Sequence, residues 1–123
     1  MQNKQLISII IPIYNEADNL IELAKQLTKV FNINLSYDFE ILLVENGSTD
    51  QSFEISQQIS TQDNRFKIIK LSRNFGCDGG VTAGLSYAAG DAAVIMAGDL
   101  QDPPELISQF IKKWQAGYEN IYQ

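Results

Sequence analysis

The stretch LISIIIPI, residues 6–13, is almost continuously apolar and contains five isoleucines. This composition is typical of a strand that is covered on both faces in a parallel sheet. Three more apolar stretches follow at intervals of about 30 residues, which is the size of a strand–helix–strand unit. We therefore predict four strands, at Leu6–Ile13, Phe39–Val44, Phe66–Leu71 and Ala92–Ala97.

Apolar residues at helical spacing follow each of these strands. They predict four helices, with apolar stripes over residues 20–31, 53–59, 81–88 and 106–114. The third stripe is rich in alanine and glycine, so we expect that helix to pack closely on the sheet. The alternation predicts an α/β fold, with a mostly parallel sheet, helices on both faces and right-handed crossovers. Because no long linker interrupts the pattern, residues 1–123 are expected to form one domain, with a further strand beginning at Tyr118–Gln123.

The composition limits the chemistry that the chain can perform. Its 123 residues carry a formal net charge of -6, which argues against a nucleic-acid partner and an anionic membrane surface. The absence of histidine excludes a Ser-His-Asp triad and a histidine-ligated zinc site, and the single cysteine, Cys77, excludes an internal disulfide. The apolar stretch of residues 6–13 is too short to span a membrane, so membrane association is expected only through segments beyond this chain.

Ligands of parallel α/β sheets bind beyond the carboxyl ends of the strands, and polar residues follow each predicted strand there. PIYNE, residues 12–16, follows the first strand. Asn15 is predicted to cap the next helix, with Asp18 in its first turn. Tyr14 is a candidate to pack against a nucleobase, and Glu16 is a candidate to accept a hydrogen bond from a ribose hydroxyl.

ENGSTD, residues 45–50, follows the second strand. Asn46-Gly47 is a turn signal, and Ser48 with Gln51 has the spacing of a helix capping box. Glu45 has no such structural explanation, because it continues a buried strand as a bare carboxylate. We expect it either to accept N–H groups of a nucleobase or to be a solvated strand end.

SRNFG, residues 72–76, follows the third strand. The Arg73 guanidinium is suited to phosphate oxygens or to stacking on a base. Glycines at 76, 79 and 80 would let the backbone approach a ligand at the start of a helix. Their spacing differs from the G-x-G-x-x-G dinucleotide fingerprint, and a plain surface loop remains the alternative.

AGDLQDPPE, residues 97–105, follows the fourth strand. Asp102 is predicted to cap the last helix, with Pro103 and Glu105 in its first turn. Asp99 and Gln101 are two residues apart, and in an extended segment they would point to the same side. Their oxygens suit Mg²⁺ or Mn²⁺, which complete an octahedral shell with water and substrate phosphate. Gly98 would let a phosphate approach closely.

Taken together, these motifs resemble the family-2 glycosyltransferases of the GT-A fold, over nearly the whole chain. The resemblance rests on five motifs in order, at residues 12–16, 44–50, 73–76, 83–84 with 89–91, and 99–105. The last motif is similar to that of the polyprenyl-phosphate glycosyltransferases, the dolichyl-phosphate mannose synthase-like branch. The resemblance implies a Rossmann-like GT-A nucleotide-sugar-binding domain that is truncated at its C-terminus.

The resemblance also implies roles for individual residues. Asp99 corresponds to the second aspartate of the Asp-x-Asp metal motif, with Gln101 as an accessory ligand, whereas Ala97 occupies the first position of that motif. Glu45 and Asn46 occupy the places of two aspartates that contact the base. The residues expected to bind the nucleotide sugar are Pro12, Tyr14, Glu16, Glu45, Asn46, Arg73, Gly98 and Asp99.

The implied activity is transfer of a sugar from a UDP- or GDP-linked donor, with inversion and with Mg²⁺ or Mn²⁺ as cofactor. The implied acceptor is a polyprenyl phosphate or a cell-envelope glycan at the cytoplasmic face of the membrane. A polyprenyl phosphate oxygen is already anionic, whereas a sugar hydroxyl would need a general base, expected beyond Gln123. A truncated or degenerate nucleotide-binding domain is the first alternative. A nucleotidyltransferase is the second, although it usually has a glycine-rich loop where this chain has residues 12–16.

Overall fold

The structure is a computed structural model that describes residues 4–117. It contains all four predicted strands and all four predicted helices, in strict alternation. The strand expected at Tyr118–Gln123 lies outside the described residues. The elements are β1 (Gln5–Ile13), α1 (Ala17–Ile33), β2 (Tyr37–Glu45), α2 (Ser52–Gln62), β3 (Phe66–Lys70), α3 (Gly76–Tyr87), β4 (Ala92–Ile95) and α4 (Leu106–Gln115).

The four strands form one parallel sheet in the order β3-β2-β1-β4. β1 is central and pairs along its whole length with β2, from Gln5 opposite Tyr37 to Ile13 opposite Glu45. This position explains its sequence, because the middle of the strand is covered on both faces and Ile9, Ile10 and Ile11 are fully buried. The prediction of a parallel sheet is confirmed.

Helices cover both faces of the sheet, as predicted. On one face, Ile9 and Ile11 belong to a core that includes α1, α2 and α4. On the other face, Ile10, Leu42 and Val44 pack against α3. None of the helices within residues 4–117 is long and apolar enough to cross a membrane.

The predicted close packing of α3 is also confirmed. A Cβ atom on Gly84 would lie 2.4 Å from Cγ2 of Ile10 and 3.2 Å from Cγ2 of Val44. Only a glycine therefore allows the helix backbone to lie this near the sheet.

The predicted cap of α1 is wrong. Asn15 lies outside the helix in the left-handed region (φ 54°), and Glu16 occupies the N-cap position without a side-chain cap. Asp18 does lie in the first turn, as predicted. The expected capping box of Ser48 and Gln51 is wrong as well, because α2 begins at Ser52 and Ser48 accepts a hydrogen bond from the Asn15 backbone.

The start of α4 also differs from the prediction. The helix begins at Leu106, with Glu105 at the N-cap, and the Asp102 carboxylate instead accepts the backbone N–H of Ala97 at 3.1 Å. Leu100 has a φ of 66°, so the segment from Asp99 to Gln101 is a turn rather than an extended stretch. The argument that placed these two side chains on one side is therefore wrong.

Candidate functional site

A pocket of about 500 Å³ opens at the carboxyl ends of β1 and β4. The chain reverses its direction of travel across the sheet here, since β2 and β3 lie on one side of β1 and β4 on the other. This is the switch point where ligands of open α/β sheets bind. The pocket is lined by Pro12, Ile13, Tyr14, Glu16, Asn46, Asn74, Gly76, Cys77, Val81, Ile95, Met96, Ala97, Gly98, Asp99 and Asp102.

Six of the predicted site residues lie together in this lining, and three do not. Those that meet are Pro12, Tyr14, Glu16, Asn46, Gly98 and Asp99. Glu45, Arg73 and Gln101 are absent from the lining. Arg73 is exposed on the loop after β3, where its guanidinium carbon lies 4.7 Å from the centre of the Phe75 ring.

The loops after β1 and β2 hold each other through a reciprocal set of hydrogen bonds. The Asn15 side-chain oxygen accepts the backbone N–H of Thr49 at 2.8 Å, and the Ser48 hydroxyl accepts the Asn15 N–H at 3.0 Å. Asp50 accepts the N–H of Ala17, the first residue of α1, at 3.2 Å. The polar residues of these two loops therefore fix the backbone that carries Tyr14 and Glu16.

Asp50 carries a shifted pKa as a result. Desolvation alone would raise the pKa of its carboxyl group, but the hydrogen bonds from Ser52 and from the Ala17 N–H outweigh that effect and leave the pKa below its ordinary value. Asp50 is therefore charged at neutral pH, and its negative charge interacts favourably with the positive end of the α1 dipole.

Glu45 is neither the bare carboxylate nor the solvated strand end that the sequence predicts. It is 2% exposed, and its two carboxylate oxygens accept the backbone N–H groups of Gly47 at 3.2 Å and Ser48 at 2.9 Å. A local turn therefore satisfies the carboxylate, which holds the loop after β2 in shape.

Asn46 is 3% exposed and joins the loop after β2 to the start of α3. Its side-chain nitrogen donates to the Gly76 carbonyl at 2.7 Å, and its side-chain oxygen accepts the Phe75 N–H at 2.9 Å. The two loops are in direct contact, because a Cβ on Gly47 would lie 2.6 Å from the Asn74 nitrogen.

The segment after β4 places one carboxylate in the pocket. Asp99 lies in the lining, and one of its oxygens, Oδ1, accepts the Gln101 backbone N–H at 3.1 Å. Gln101 is exposed. Gly98 is buried, and a Cβ there would lie 3.0 Å from Ile13 and 3.4 Å from the Glu16 side chain, so this glycine lets the loop pack against the end of β1.

The described residues contain no group of three or more Asp, Glu or Cys side chains placed to hold a metal ion among themselves. Three carboxylates line the pocket, those of Glu16, Asp99 and Asp102. Asp99 is the one at the predicted metal position, and its Oδ2 atom makes no hydrogen bond within residues 4–117. A carboxylate whose coordination shell is completed by water and phosphate oxygens is a usual Mg²⁺ arrangement, so Asp99 fits a hard cation whose other ligands come from outside the protein.

Several lining residues were missed by the sequence reasoning. Asn74 lies in the loop that Arg73 had drawn attention to, and Cys77 lies in the first turn of the helix that follows, so the signal was their position between the end of a strand and the start of a helix. Met96 and Val81 are apolar and carried no such signal. Asp102 had been given only a capping role, although it lines the pocket.

Comparison with known proteins agrees with these motifs. The family model described as "Glycosyl transferase family 2" matches residues 8–123. An uncharacterized glycosyltransferase of Bacillus subtilis strain 168, YkcC, is 46% identical over 115 residues, which is 94% of this chain and 35% of that protein. The undecaprenyl-phosphate 4-deoxy-4-formamido-L-arabinose transferase of Enterobacter sp. strain 638 is 37% identical over 116 residues, again 94% of this chain and 35% of that protein. The chain thus spans about a third of the length of these relatives.

The fold is shared with solved structures, among them TarS and PcManGT. TarS of S. aureus, residues 1–349, superimposes with a TM-score of 0.67 at 21% identity, covering 95% of this chain and 38% of that one. The mannosyltransferase PcManGT from Pyrobaculum calidifontis, in complex with GDP-Man and Mn²⁺, superimposes with a TM-score of 0.75 at 18% identity, covering 89% and 32%. These likenesses confirm the predicted fold class.

Proposed function

The chain belongs to glycosyl transferase family 2, and on that premise we propose that it is the donor-binding part of an enzyme that transfers a sugar from a nucleotide diphosphate sugar. The observation that carries the proposal is the pocket at the switch point between β1 and β4, which gathers six of the predicted site residues. Its volume of about 500 Å³ lies in the range of small-molecule sites.

We assign the nucleotide to the part of the pocket formed by β1 and the loop that follows it. Tyr14 is 44% exposed, which leaves its ring free to stack on a base. Glu16 lines the same wall, and the hydrogen bond from Asn19 to one of its oxygens leaves the other to accept from a ribose hydroxyl. Pro12 supplies apolar contact beside them.

We place Mg²⁺ or Mn²⁺ at Asp99, beside the diphosphate of the donor. Bound there, the cation would neutralise the charge that develops on the leaving nucleoside diphosphate. The Asp99 turn supports this assignment, because the Gln101 N–H fixes one carboxylate oxygen and thereby orients the other. The Mn²⁺ present in the PcManGT complex is consistent with it. Gln101 itself remains a predicted accessory ligand that would have to turn toward the pocket.

The proposed acceptor is a polyprenyl phosphate, or otherwise a cell-envelope glycan, at the cytoplasmic face of the membrane. The name of the Enterobacter relative supports the lipid phosphate. Its anionic oxygen attacks the anomeric carbon from the side opposite the leaving diphosphate, which inverts the configuration. This nucleophile needs little help from a general base, in keeping with a sequence that lacks histidine.

Calorimetry on the full-length protein tests the donor assignment. UDP, GDP and their sugar conjugates are titrated with and without Mn²⁺, and we expect saturable binding of one nucleotide series that strengthens with the metal. Nucleotide binding that is equally strong with and without Mn²⁺ would contradict the proposal of a metal-dependent transferase. So would the absence of binding of either series to folded protein.

A nucleotide-binding domain without catalytic activity is the second candidate, and Ala97 in the first position of the Asp-x-Asp motif favours it. Product analysis with a polyprenyl phosphate acceptor separates the two. The transferase releases a nucleoside diphosphate. A degenerate domain binds the donor and releases no nucleoside diphosphate. Released pyrophosphate would instead indicate a nucleotidyltransferase.

A further inference from the structure

The Asn46 side chain uses both ends of its amide within the protein. Its oxygen accepts the Phe75 N–H and its nitrogen donates to the Gly76 carbonyl, at 2.9 and 2.7 Å. A backbone N–H can only donate and a carbonyl can only accept, so the chemistry of these partners sets the orientation of the amide. A Cβ on Gly80 would lie 3.3 Å from the same nitrogen, so α3 packs directly over it.

The segment held in this way is the α3 entry turn, residues 74–77. Three of its residues, Asn74, Gly76 and Cys77, line the pocket. Gly76 adopts a φ of 80°, and its N–H is held by the Asn74 side chain at 2.7 Å. Asn46 is thus the link between the end of the central β1–β2 pair and this wall of the pocket, since its own backbone N–H bonds to Ile13 at 2.9 Å.

An aspartate cannot replace this amide. Its carboxylate would still accept the Phe75 N–H, but it would set a charged oxygen against the Gly76 carbonyl, where the amide nitrogen now donates. A buried oxygen–oxygen contact of this kind costs more than the lost hydrogen bond alone.

We propose that Asn46 is a positioning residue that fixes the α3 entry turn against the pocket, and that it does not read the base. The sequence resemblance had placed it where an aspartate would contact the nucleobase. With Glu45 satisfied by the Gly47 and Ser48 amides, neither residue of the pair presents a free carboxylate to a ligand. The claim about the turn stands on these contacts, and the claim about the base rests on the proposed function.

Hydrogen exchange on the ligand-free, full-length protein tests the first claim in Asn46→Asp. The substitution replaces the hydrogen bond to the Gly76 carbonyl with an oxygen–oxygen contact, so the α3 entry turn should open more easily. We expect the Phe75 and Gly76 amides to exchange about tenfold faster than in the wild type, although each keeps its own acceptor. Asn34→Asp is the matched control, because Asn34 also donates to a backbone carbonyl, that of Val30, far from the pocket. It should leave exchange in residues 74–77 unchanged.

The pH dependence of Asn46→Asp gives a readout that a general loss of stability would not produce. A protonated aspartic acid can donate to the Gly76 carbonyl, so the slow exchange should return as pH falls through the pKa of the new carboxyl group. Asn46→Asp should also weaken nucleotide-sugar binding, with the effect in KM rather than kcat. This affinity should recover as pH falls, in parallel with the slow exchange. The wild type in the same buffers corrects for the other titratable groups of the site: Tyr14, Glu16, Glu45, Arg73, Cys77, Asp99 and Asp102.

A second measurement needs no variant. In the wild type, the Asn46 side-chain amide protons should be protected from solvent exchange before a nucleotide sugar is added and should keep their shifts afterwards. Large changes in the chemical shifts of these protons on donor binding would overturn the proposal. So would an Asn46→Asp variant that binds the donor more tightly, or one whose α3 entry turn exchanges at the wild-type rate. If the wild type binds no nucleotide sugar, the proposed function fails, and the ligand-free exchange still decides the role of Asn46.

Discussion

At the scale of single residues, Asp99 carries the proposed metal chemistry. Its carboxylate lies in the pocket lining, and the turn around Leu100 presents it there. Because Ala97 supplies no oxygen from its side chain, the proposed cation would depend on Asp99 and on the ligands that the proposed donor brings.

Asp99→Asn should therefore remove the contribution of Mn²⁺ to donor binding. An amide oxygen is a weaker ligand for a hard cation, and we expect the metal-dependent affinity to fall by at least about tenfold, as disturbed metal sites typically show. Calorimetry with and without Mn²⁺ measures the change. Asp38→Asn, an exposed position at the other end of β2, makes the same chemical change away from the pocket. An Asp99→Asn protein that responds to Mn²⁺ as the wild type does would remove Asp99 from the site.

Polar residues next to strands were predicted less well than the strands themselves, and Asn15 shows why. Its type and position fit a cap of α1, but its side chain bonds to Thr49, 34 positions away in sequence. Capping rules compare a residue with its own helix, so they cannot identify a partner on a neighbouring loop. The same reason explains the wrong assignment of Ser48, which bonds to Asn15. Asp102 bonds to Ala97, five positions earlier in its own segment, which also lies outside the helix that a capping rule considers.

At the scale of elements, periodicity was sufficient. The isoleucine-rich β1 stretch predicted a strand buried on both faces, and the small residues of α3 predicted close packing. Both follow from the number of apolar faces that an element must bury, which the sequence pattern expresses directly. The glycine at position 84 is where this prediction is most exact, since a methyl group there would overlap Ile10.

Gly84→Ala tests that packing, because its effect on the free energy of unfolding should be opposite in sign to the effect of the same change in an exposed helix. In an exposed helix this substitution stabilises by about 1 kcal/mol through helix propensity. Here the added Cβ would lie 2.4 Å from the Ile10 side chain, and overpacking of this kind costs about 1–3 kcal/mol. We expect a net loss in the free energy of unfolding, measured by urea denaturation. Ser86→Ala, at an exposed position of α3, should change it by less than about 0.5 kcal/mol, and a more stable Gly84→Ala would contradict the packing.

At the scale of the whole molecule, a buried carboxylate links several elements of the fold to one another near the amino end of the sheet. Glu40 is 3% exposed and accepts hydrogen bonds from the Ser8 hydroxyl at 2.5 Å, the Ala89 N–H at 2.7 Å and Lys67 at 3.1 Å. These partners come from β1, β3 and the loop before β4. Sequence reasoning noted residues 89–91 as part of a motif but gave them no role, because a buried glutamate with partners on three elements leaves no periodic signal.

Glu40 makes the stability of the fold depend on pH. Burial raises the pKa of its carboxyl group, but the hydrogen bonds from Ser8, Ala89 and Lys67 outweigh burial and leave the pKa below its ordinary value. A group whose pKa is lower in the folded state stabilises fully above its unfolded pKa, about 4.3 for glutamate, and loses this contribution as pH falls through the folded pKa. The free energy of unfolding should therefore decline in acid.

Glu40→Gln isolates this contribution. The amide has one accepting oxygen instead of two and no charge to pair with Lys67. We therefore expect a loss of about 1.5–3 kcal/mol at pH 7, the usual value of hydrogen bonds to a charged group. The variant should then lose less stability than the wild type between pH 7 and pH 3. A residual slope is expected, because hydrogen bonds also keep the pKa values of Asp50 and Asp63 low. Urea denaturation across this range measures both effects, with the exposed Glu54→Gln as control. Parallel wild-type and Glu40→Gln curves would mean that this carboxylate does not couple the fold to pH.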